Sequence, residues 1–342
     1  MTLLVRDEAD IVDAQIAYHL QAGVDYVVAT DNRSEDETTE ILEGYARDGV
    51  LHLIREPGDD LRQSEWVTRM ARLAATELGA DWILNADADE FWLARGGTLK
   101  ELLAAVPPRF GAVRGAWRNF VPRPDDERLF AERMTARLGT PSFHPHPLST
   151  HFKSAHRGHP DVRIGRGNHE ALADDLVALR GWYPIEILHF PVRSYEQCRR
   201  KYVTQFVALE RNADKGIPGH MAEAYEAYRA GRLDEFYGPL VVDDAALAAG
   251  LAEGTYVVDT RLRDALRALG LGAAGEASAR EGDARGSAVE EAALFAGEYT
   301  SLGESDLGAS LGARIDELEA RLGRLEQSPG ARLRRLAGSL RA

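Results

Sequence analysis

Residues 82–92 read WILNADADEFW, setting Asp87, Asp89 and Glu90 directly between an apolar run and the pair Phe91 and Trp92. Asp and Asn often end strands, because their side chains bond to nearby backbone. That accounts for one acid. Three clustered carboxylates among bulky apolar residues repel one another, and a divalent cation would relieve the repulsion. Hard cations such as Mg²⁺ or Mn²⁺ take carboxylate oxygens and bridge them to phosphates. In an extended segment side chains alternate, so Asp87 and Asp89 would face one side. The chemistry on offer is a metal–phosphate site at the C-terminal end of a strand.

The elements that must position this site alternate along the first hundred residues. TLLV, VDYVVAT, VLHLIRE and DWILNAD read as strands. Between them, DEADIVDAQIAYHLQAG carries Ile11, Val12, Ile16 and Leu20 at helical spacing, and QSEWVTRMARLAATELGA sets Trp66, Met70, Leu73, Ala74 and Leu78 on one face. Ser34 and Glu37 form a candidate capping box for a helix over DETTEILEGYARDG. The alternation predicts an α/β domain with a mostly parallel sheet and helices on both faces. Ligands on such sheets bind beyond the carboxyl ends of strands. Two polar clusters fall at such ends, TDNRSEDET (30–38) and NADADE (85–90).

Composition narrows the classes. The 342 residues are 44% hydrophobic and 28% charged, enough for a globular core, and the net charge of −14 argues against coating nucleic acid. The single cysteine, Cys198, excludes an intrachain disulfide and a cysteine-based zinc site. Within SYEQCRRKYV it reads as a packed thiol on an amphipathic helix. VRDEADI after the first strand matches neither GxGxxG nor GxxxxGK[ST], so dinucleotide and P-loop readings lose their main support. With no signal-peptide pattern and no long apolar run, the expected location is the cytoplasm.

VRDEADIVDAQIAYHLQAGVDYVVATDNRSEDETTEIL, followed downstream by WILNADADEFW, resembles a glycosyltransferase of the GT-A fold. The group it resembles is family-2-like and includes glycosyltransferase 92-type relatives. The resemblance is clearest over residues 1–95 and continues more thinly through HFPVRSYEQCRRKYVTQF (189–206). It implies a Rossmann-like nucleotide-diphospho-sugar transferase that uses Mn²⁺ or Mg²⁺, with a UDP-sugar as the first candidate donor and a glycan or other hydroxyl compound as acceptor. By this resemblance Val5, Arg6 and Glu8 border the base and ribose. Asp31 and Asn32 hold the base, and Ser34 and Asp36 shape that turn. Asp87 contacts ribose or metal, and Asp89 is the main metal ligand. The metal's task is to stabilise the departing diphosphate.

Seven of the ten histidines fall between His144 and His189. Their rhythm, in HPHP and HRGHP, does not put two ligands on one helix face, so most read as loop histidines. His189 ends the apolar run YPIEILHF and is a candidate further metal ligand, with a core or sugar-contact histidine as the alternative. Lys153, Arg157, Arg163, Arg166, Arg193, Arg199, Arg200 and Lys201 give this section a basic bias suited to a diphosphate. Inverting transfer needs a base to deprotonate the acceptor. His169 and Glu170 are the candidates, with Asp161 behind them, and retaining transfer stays open. Trp117, Arg118 and Asn119 could form an acceptor wall or a packed strand.

The expected organisation is a GT-A domain over 1–215, a helical extension over 216–271, a flexible linker over 272–308, and a short coiled coil with a basic tail over 309–342. Leu311, Ile315, Leu318, Leu322 and Leu325 step by 4, 3, 4, 3 in that last segment. It could join copies of the chain, and ARLRRLAGSLRA could touch an anionic membrane. Two rivals share parts of this pattern. One is a nucleotidyltransferase making the nucleotide sugar, which would open with a Gly-rich basic loop. The other is a non-catalytic scaffold assembling through its tail.

Overall fold

The computed structural model describes residues 1–58, 62–139, 152–210 and 219–272. The expected coiled coil and tail, nearly all of the linker, and His144, His146 and His151 lie outside them.

The first half follows the expected alternation. Strands β1 (Thr2–Val5), β2 (Val27–Asp31), β3 (Leu51–Arg55) and β4 (Trp82–Asp87) are joined by helices α1 (Val12–Gln21), α2 (Thr38–Arg47) and α3 (Gln63–Thr76). Trp66, Met70 and Ala74 of α3 are buried as their spacing predicted, whereas Leu78 lies past the helix and is exposed. The candidate capping box does not form. Helix α2 starts at Thr38 with no side-chain bond at its N-cap, Glu37. Asp36 Oδ1 accepts from the Thr38 N–H at 3.0 Å, and Ser34 is committed to Asp31 instead.

The chain then departs from simple alternation. β5 (Glu90–Ala94) follows β4 after a two-residue turn, and α4 (Leu99–Ala104) leads to β6 (Ala112–Asn119). After α5 (Phe130–Arg133) and β7 (Ala136–Leu138) come β8 (Phe152–Arg157), the short strands β9 (Arg163–Ile164), β10 (Ala171–Leu172) and β11 (Ala178–Leu179), and β12 (Ile185–His189). The main sheet runs β3-β2-β1-β4-β8-β6-β12-β5, with β11 also on β6. β3, β2, β1 and β4 are mutually parallel, β8 is antiparallel between β4 and β6, β6 and β12 are parallel, and β5 is antiparallel to β12. The carboxyl ends of β1, β2, β4, β6 and β12 therefore share one edge, where the amino ends of β5 and β8 also lie.

Helices α6 (Tyr195–Glu210), α7 (Gly219–Arg229) and α8 (Leu233–Tyr237) follow β12. The segment expected to be helical to its end contains a strand, β13 (Tyr256–Val258), between α9 (Asp244–Glu253) and α10 (Arg261–Ala268). β13 pairs antiparallel with β7, which occupies backbone groups that a continuous helix would have kept internal. Leu262 and Leu266 of α10 belong to the same core as Phe91, Phe130 and Ile187.

Candidate active site

A cavity of about 660 Å³ opens at the shared strand edge, bordered by Val5, Arg6 and Glu8 after β1, Asn32 after β2, and Asp87 and Asp89 around the end of β4. Trp117 and Asn119 of β6 and His189 of β12 complete the sheet side. Helix α6 covers it with Gln197, Arg200, Lys201, Thr204 and Ala208, spaced so that one helical face looks inward.

The acids do not continue one extended strand. β4 ends at Asp87, the chain turns through Ala88 and Asp89, and Glu90 begins β5. Glu90 staples the turn, since its Oε2 accepts from the Asp87 N–H at 3.1 Å. Its Oε1 accepts from Trp117 Nε1 at 2.9 Å and faces Lys153 Nζ at 2.9 Å. Glu90 is fully buried, and that burial, with Asp87 and Asp89 nearby, pushes its carboxyl up against the pull of Lys153. Lys153 Nζ also donates to Asp87 Oδ2 at 2.6 Å, while Asn168 and Gln63 amides donate to Asp87 Oδ1 at 3.0 and 3.3 Å. Burial alone would lower the Lys153 pKa, but Asp87 and Glu90 outweigh it and keep the ammonium charged.

Asp89 has a different neighbourhood. Lys201 Nζ donates to its Oδ2 at 2.5 Å, and His189 Nε2 lies 3.7 Å from the same oxygen. Burial would raise the Asp89 carboxyl, yet the Lys201 ammonium holds it well below the usual range. Burial lowers the pKa of His189, against the pull of Asp89, which favours the neutral ring. Its Nδ1 is 2.6 Å from Asn119 Oδ1, which can only accept, so Nδ1 carries the proton and the Nε2 lone pair is left toward Asp89. The ring stacks on Trp117 with centroids 4.0 Å apart.

Two electron-pair donors facing each other are a fitting start for a cation site, and the Asn119 contact orients the histidine as outer groups do around metals. Asp87 borders the same cavity with Lys153 on its Oδ2 and the Asn168 and Gln63 amides on its Oδ1. Among the described residues no group of three or more His, Cys, Asp or Glu side chains converges on one point. A bound cation would have Asp89 and His189 as its protein ligands and would share Asp89 with Lys201.

On the β1–β2 side the loop after β1 is laced to the turn over 31–38. The N–H groups of Asp7, Glu8 and Ala9 donate to Ser34 Oγ, Thr38 Oγ1 and Asp36 Oδ2 at 3.0, 2.9 and 3.1 Å. Asp31 accepts from Ser34 N–H and Oγ and from Thr39 Oγ1, so its carboxylate holds the turn and does not border the cavity. Asn32 does border it. Its Nδ2 donates to Gly58 O at 2.9 Å, and its buried Oδ1 has no partner. Arg193, unremarked in sequence beyond its charge, is buried beneath this loop and donates to Glu8 Oε2 at 2.5 Å and to Asp10 Oδ2 at 2.6 Å. Burial pushes Glu8 up to about 7, against the pull of Arg193.

The remaining candidates lie elsewhere. Glu170 is held by Arg114 Nη2 at 2.7 Å, and His169 Nδ1 is 2.8 Å from Phe152 O, and neither residue borders the cavity. His156 is buried with its pKa lowered to about 4 by that burial. Arg118 points away from Trp117 and Asn119 and donates to Glu186 at 2.6 Å. Burial lifts the Cys198 thiol to about 11, which suits packing. Gln63 and Asn168 carried no pattern that sequence reasoning could use, since each reaches Asp87 only through tertiary structure.

No protein-family model matches the chain. A TPR repeat-containing protein of Synechococcus elongatus is 24% identical over 263 residues, which is 74% of this chain and 56% of that protein, so the chain spans about half the length of its curated relative. Among solved structures, Staphylococcus aureus TarS 1–349 in complex with UDP-GlcNAc is 14% identical, covers 69% of this chain and 70% of its own, and has a TM-score of 0.36. A mycobacterial protein is 14% identical over 64% of this chain and 74% of its own, with a TM-score of 0.30. Overlap this loose carries no functional inference. The described residues contain no helix long and apolar enough to cross a membrane.

Proposed function

We propose that the chain is a GT-A-type glycosyltransferase that moves a sugar from a nucleoside diphosphate sugar, a UDP-sugar first, to a hydroxyl acceptor, with the help of Mn²⁺ or Mg²⁺. The observation that carries the reading is the pairing of Asp89 with His189 Nε2 across 3.7 Å, at the carboxyl edge of the sheet and on the wall of a large cavity. Asp89 and His189 would hold the cation, which when bound supplies positive charge to the departing diphosphate. Lys201, Arg200 and Arg6 line the same space and bring fixed cations to the phosphates in an otherwise acidic protein. Asn32 offers its buried Oδ1 to a donor on the base. The reading also agrees with the resemblance of residues 1–95, and it suits a role in surface or extracellular glycan synthesis.

The test is a thermal-shift and calorimetry screen of purified protein against nucleotide sugars, with and without Mn²⁺, followed by donor hydrolysis. Metal-dependent stabilisation by one nucleotide sugar is expected. No binding of any member, or equal binding after EDTA, would remove the metal–diphosphate reading. Pyrophosphate release from a nucleoside triphosphate and a sugar phosphate would turn it into a nucleotidyltransferase.

A further inference from the structure

The cavity changes character along its length. At the β1–β4 side Leu4, Val5 and Ala88 are mixed with the charged Arg6, Glu8, Asp87 and Asp89. Past Asp89, on the β6–β12 side, the lining becomes Pro122, Val192, Ala208, Met221, Phe236 and Leu240. Three separate segments build that apolar end. Pro122 follows β6, and its carbonyl accepts from the Val242 N–H at 2.9 Å, which ties the Leu240 turn against it. Phe236 of α8 meets Tyr202 of α6 edge to face with centroids 5.5 Å apart. Val192, Ala208 and Met221 are themselves buried, at 4%, 4% and 6% exposure.

The sheet order assigns an occupant. β1 and β2 lie on one side of β4, and β6 and β12 lie on the other. A nucleotide held by the Asn32 side with its diphosphate at Asp89 leaves the β6–β12 side for the acceptor. Extending the reading given above, and resting on it, we propose that the acceptor carries an apolar body next to its reactive hydroxyl, an alkyl or aryl glycoside or alcohol, and that this body fills the chamber of Met221, Phe236 and Leu240. A purely hydrophilic acceptor would leave the partly exposed Pro122, Phe236 and Leu240 facing water and gain nothing from them, whereas an apolar group removes their remaining surface from solvent and packs on the buried Met221 behind them.

The experiment compares hexyl and methyl β-D-glucopyranoside by calorimetry on the whole chain, and measures UDP binding on the same preparation. The hexyl compound should bind at least tenfold more tightly, in the range a few methylenes give in an apolar pocket, with a more negative heat-capacity change. Met221→Gln, close in volume, and Phe236→Ala should each narrow the gap between the two ligands. Equal affinities, no binding of the hexyl compound, or a gap that survives both substitutions overturns the assignment. If UDP and the nucleotide sugars do not bind at all, the donor reading fails by itself, and a remaining hexyl preference would mark the chamber as an apolar ligand site without transfer.

Discussion

Arg193 is where the geometry makes its sharpest demand. Its guanidinium is 1% exposed and joins the segment after β12 to the loop after β1 through Glu8, Asp10 and the Phe190 carbonyl. Replacing it with methionine keeps most of the volume and removes the charge. Breaking a buried ion pair from one side costs about 3–5 kcal/mol, because the partner is left without compensation. The Asp10 side chain is 34% exposed and can rehydrate, so the lower end, about 3 kcal/mol, is expected. At about 2–4 °C per kcal/mol for a chain of this size, Tm should fall by about 6–12 °C at pH 7.

The pH dependence gives a second check. Burial would raise the Asp10 carboxyl, but Arg193 overrides it and the folded value is lowered, so its contribution is present above the ordinary 3.8 and lost as pH falls through the folded value. Glu8 is raised from 4.5 to about 7 by burial, so the native state binds the extra proton between those values and loses that advantage as pH rises. Without Arg193 both carboxyls move up. Protonating Asp10 costs little near pH 4 and progressively more by pH 7, whereas Glu8 stays largely protonated in both proteins until about 7, so the gap between wild type and Arg193→Met should widen over that interval through Asp10. Urea denaturation at pH 4, 5.5 and 7 measures it. A gap that stays constant, or a Tm change under 2 °C, would mean that Arg193 does not clamp these loops. Arg193→Lys should recover less than half, since one ammonium cannot reproduce a fork that reaches two carboxylates.

Asp89→Asn should reduce donor hydrolysis by at least a hundredfold in a steady-state assay, with circular dichroism unchanged, because the buried site keeps its shape and loses its charge. His189→Ala should raise the Mn²⁺ concentration needed for half-maximal rate, with partial rescue by excess metal. In the wild type the acid limb of the pH–rate profile should fall below the ordinary histidine value of 6.5, since burial already favours the neutral ring. Asp31→Ala should lower stability by about 1–3 kcal/mol through the lost bonds to Ser34 and Thr39. If it leaves Tm intact and abolishes UDP binding instead, Asp31 contacts the base directly.

The strands and helices up to residue 87 were legible because each segment repeats its own period over enough residues. Asp89 and His189 were legible because an acid or a histidine after an apolar run stands out. What the sequence hid was the turn at Ala88. Extended backbone would have made Asp87 and Asp89 equivalent, while the turn gives Asp87 to Lys153 and Asp89 to Lys201, and turns Glu90 into a staple. Neither lysine shows its partner locally, since each lies far along the chain. His169 and Glu170 looked reactive by residue type, but the Phe152 carbonyl and Arg114 engage them away from the cavity.

Backbone conformation singles out the same loops. Among the described residues, four other than glycine have positive φ: Asp7 at 56°, Arg33 at 57°, Glu127 at 66° and Asn168 at 60°. The left-handed region costs an L-residue about 1–2 kcal/mol, less for Asp and Asn. Three of the four occur where chain segments meet the cavity. Asp7 turns the chain after β1 so that Glu8 borders the cavity, Arg33 follows Asn32, and Asn168 delivers its amide to Asp87. Each bend persists because neighbouring bonds fix it, as when Asp7 Oδ1 accepts from the Glu35 N–H at 2.7 Å. Of the three, only Asp7 itself borders the cavity, while Arg33 follows the lining residue Asn32 and Asn168 bonds to the lining residue Asp87.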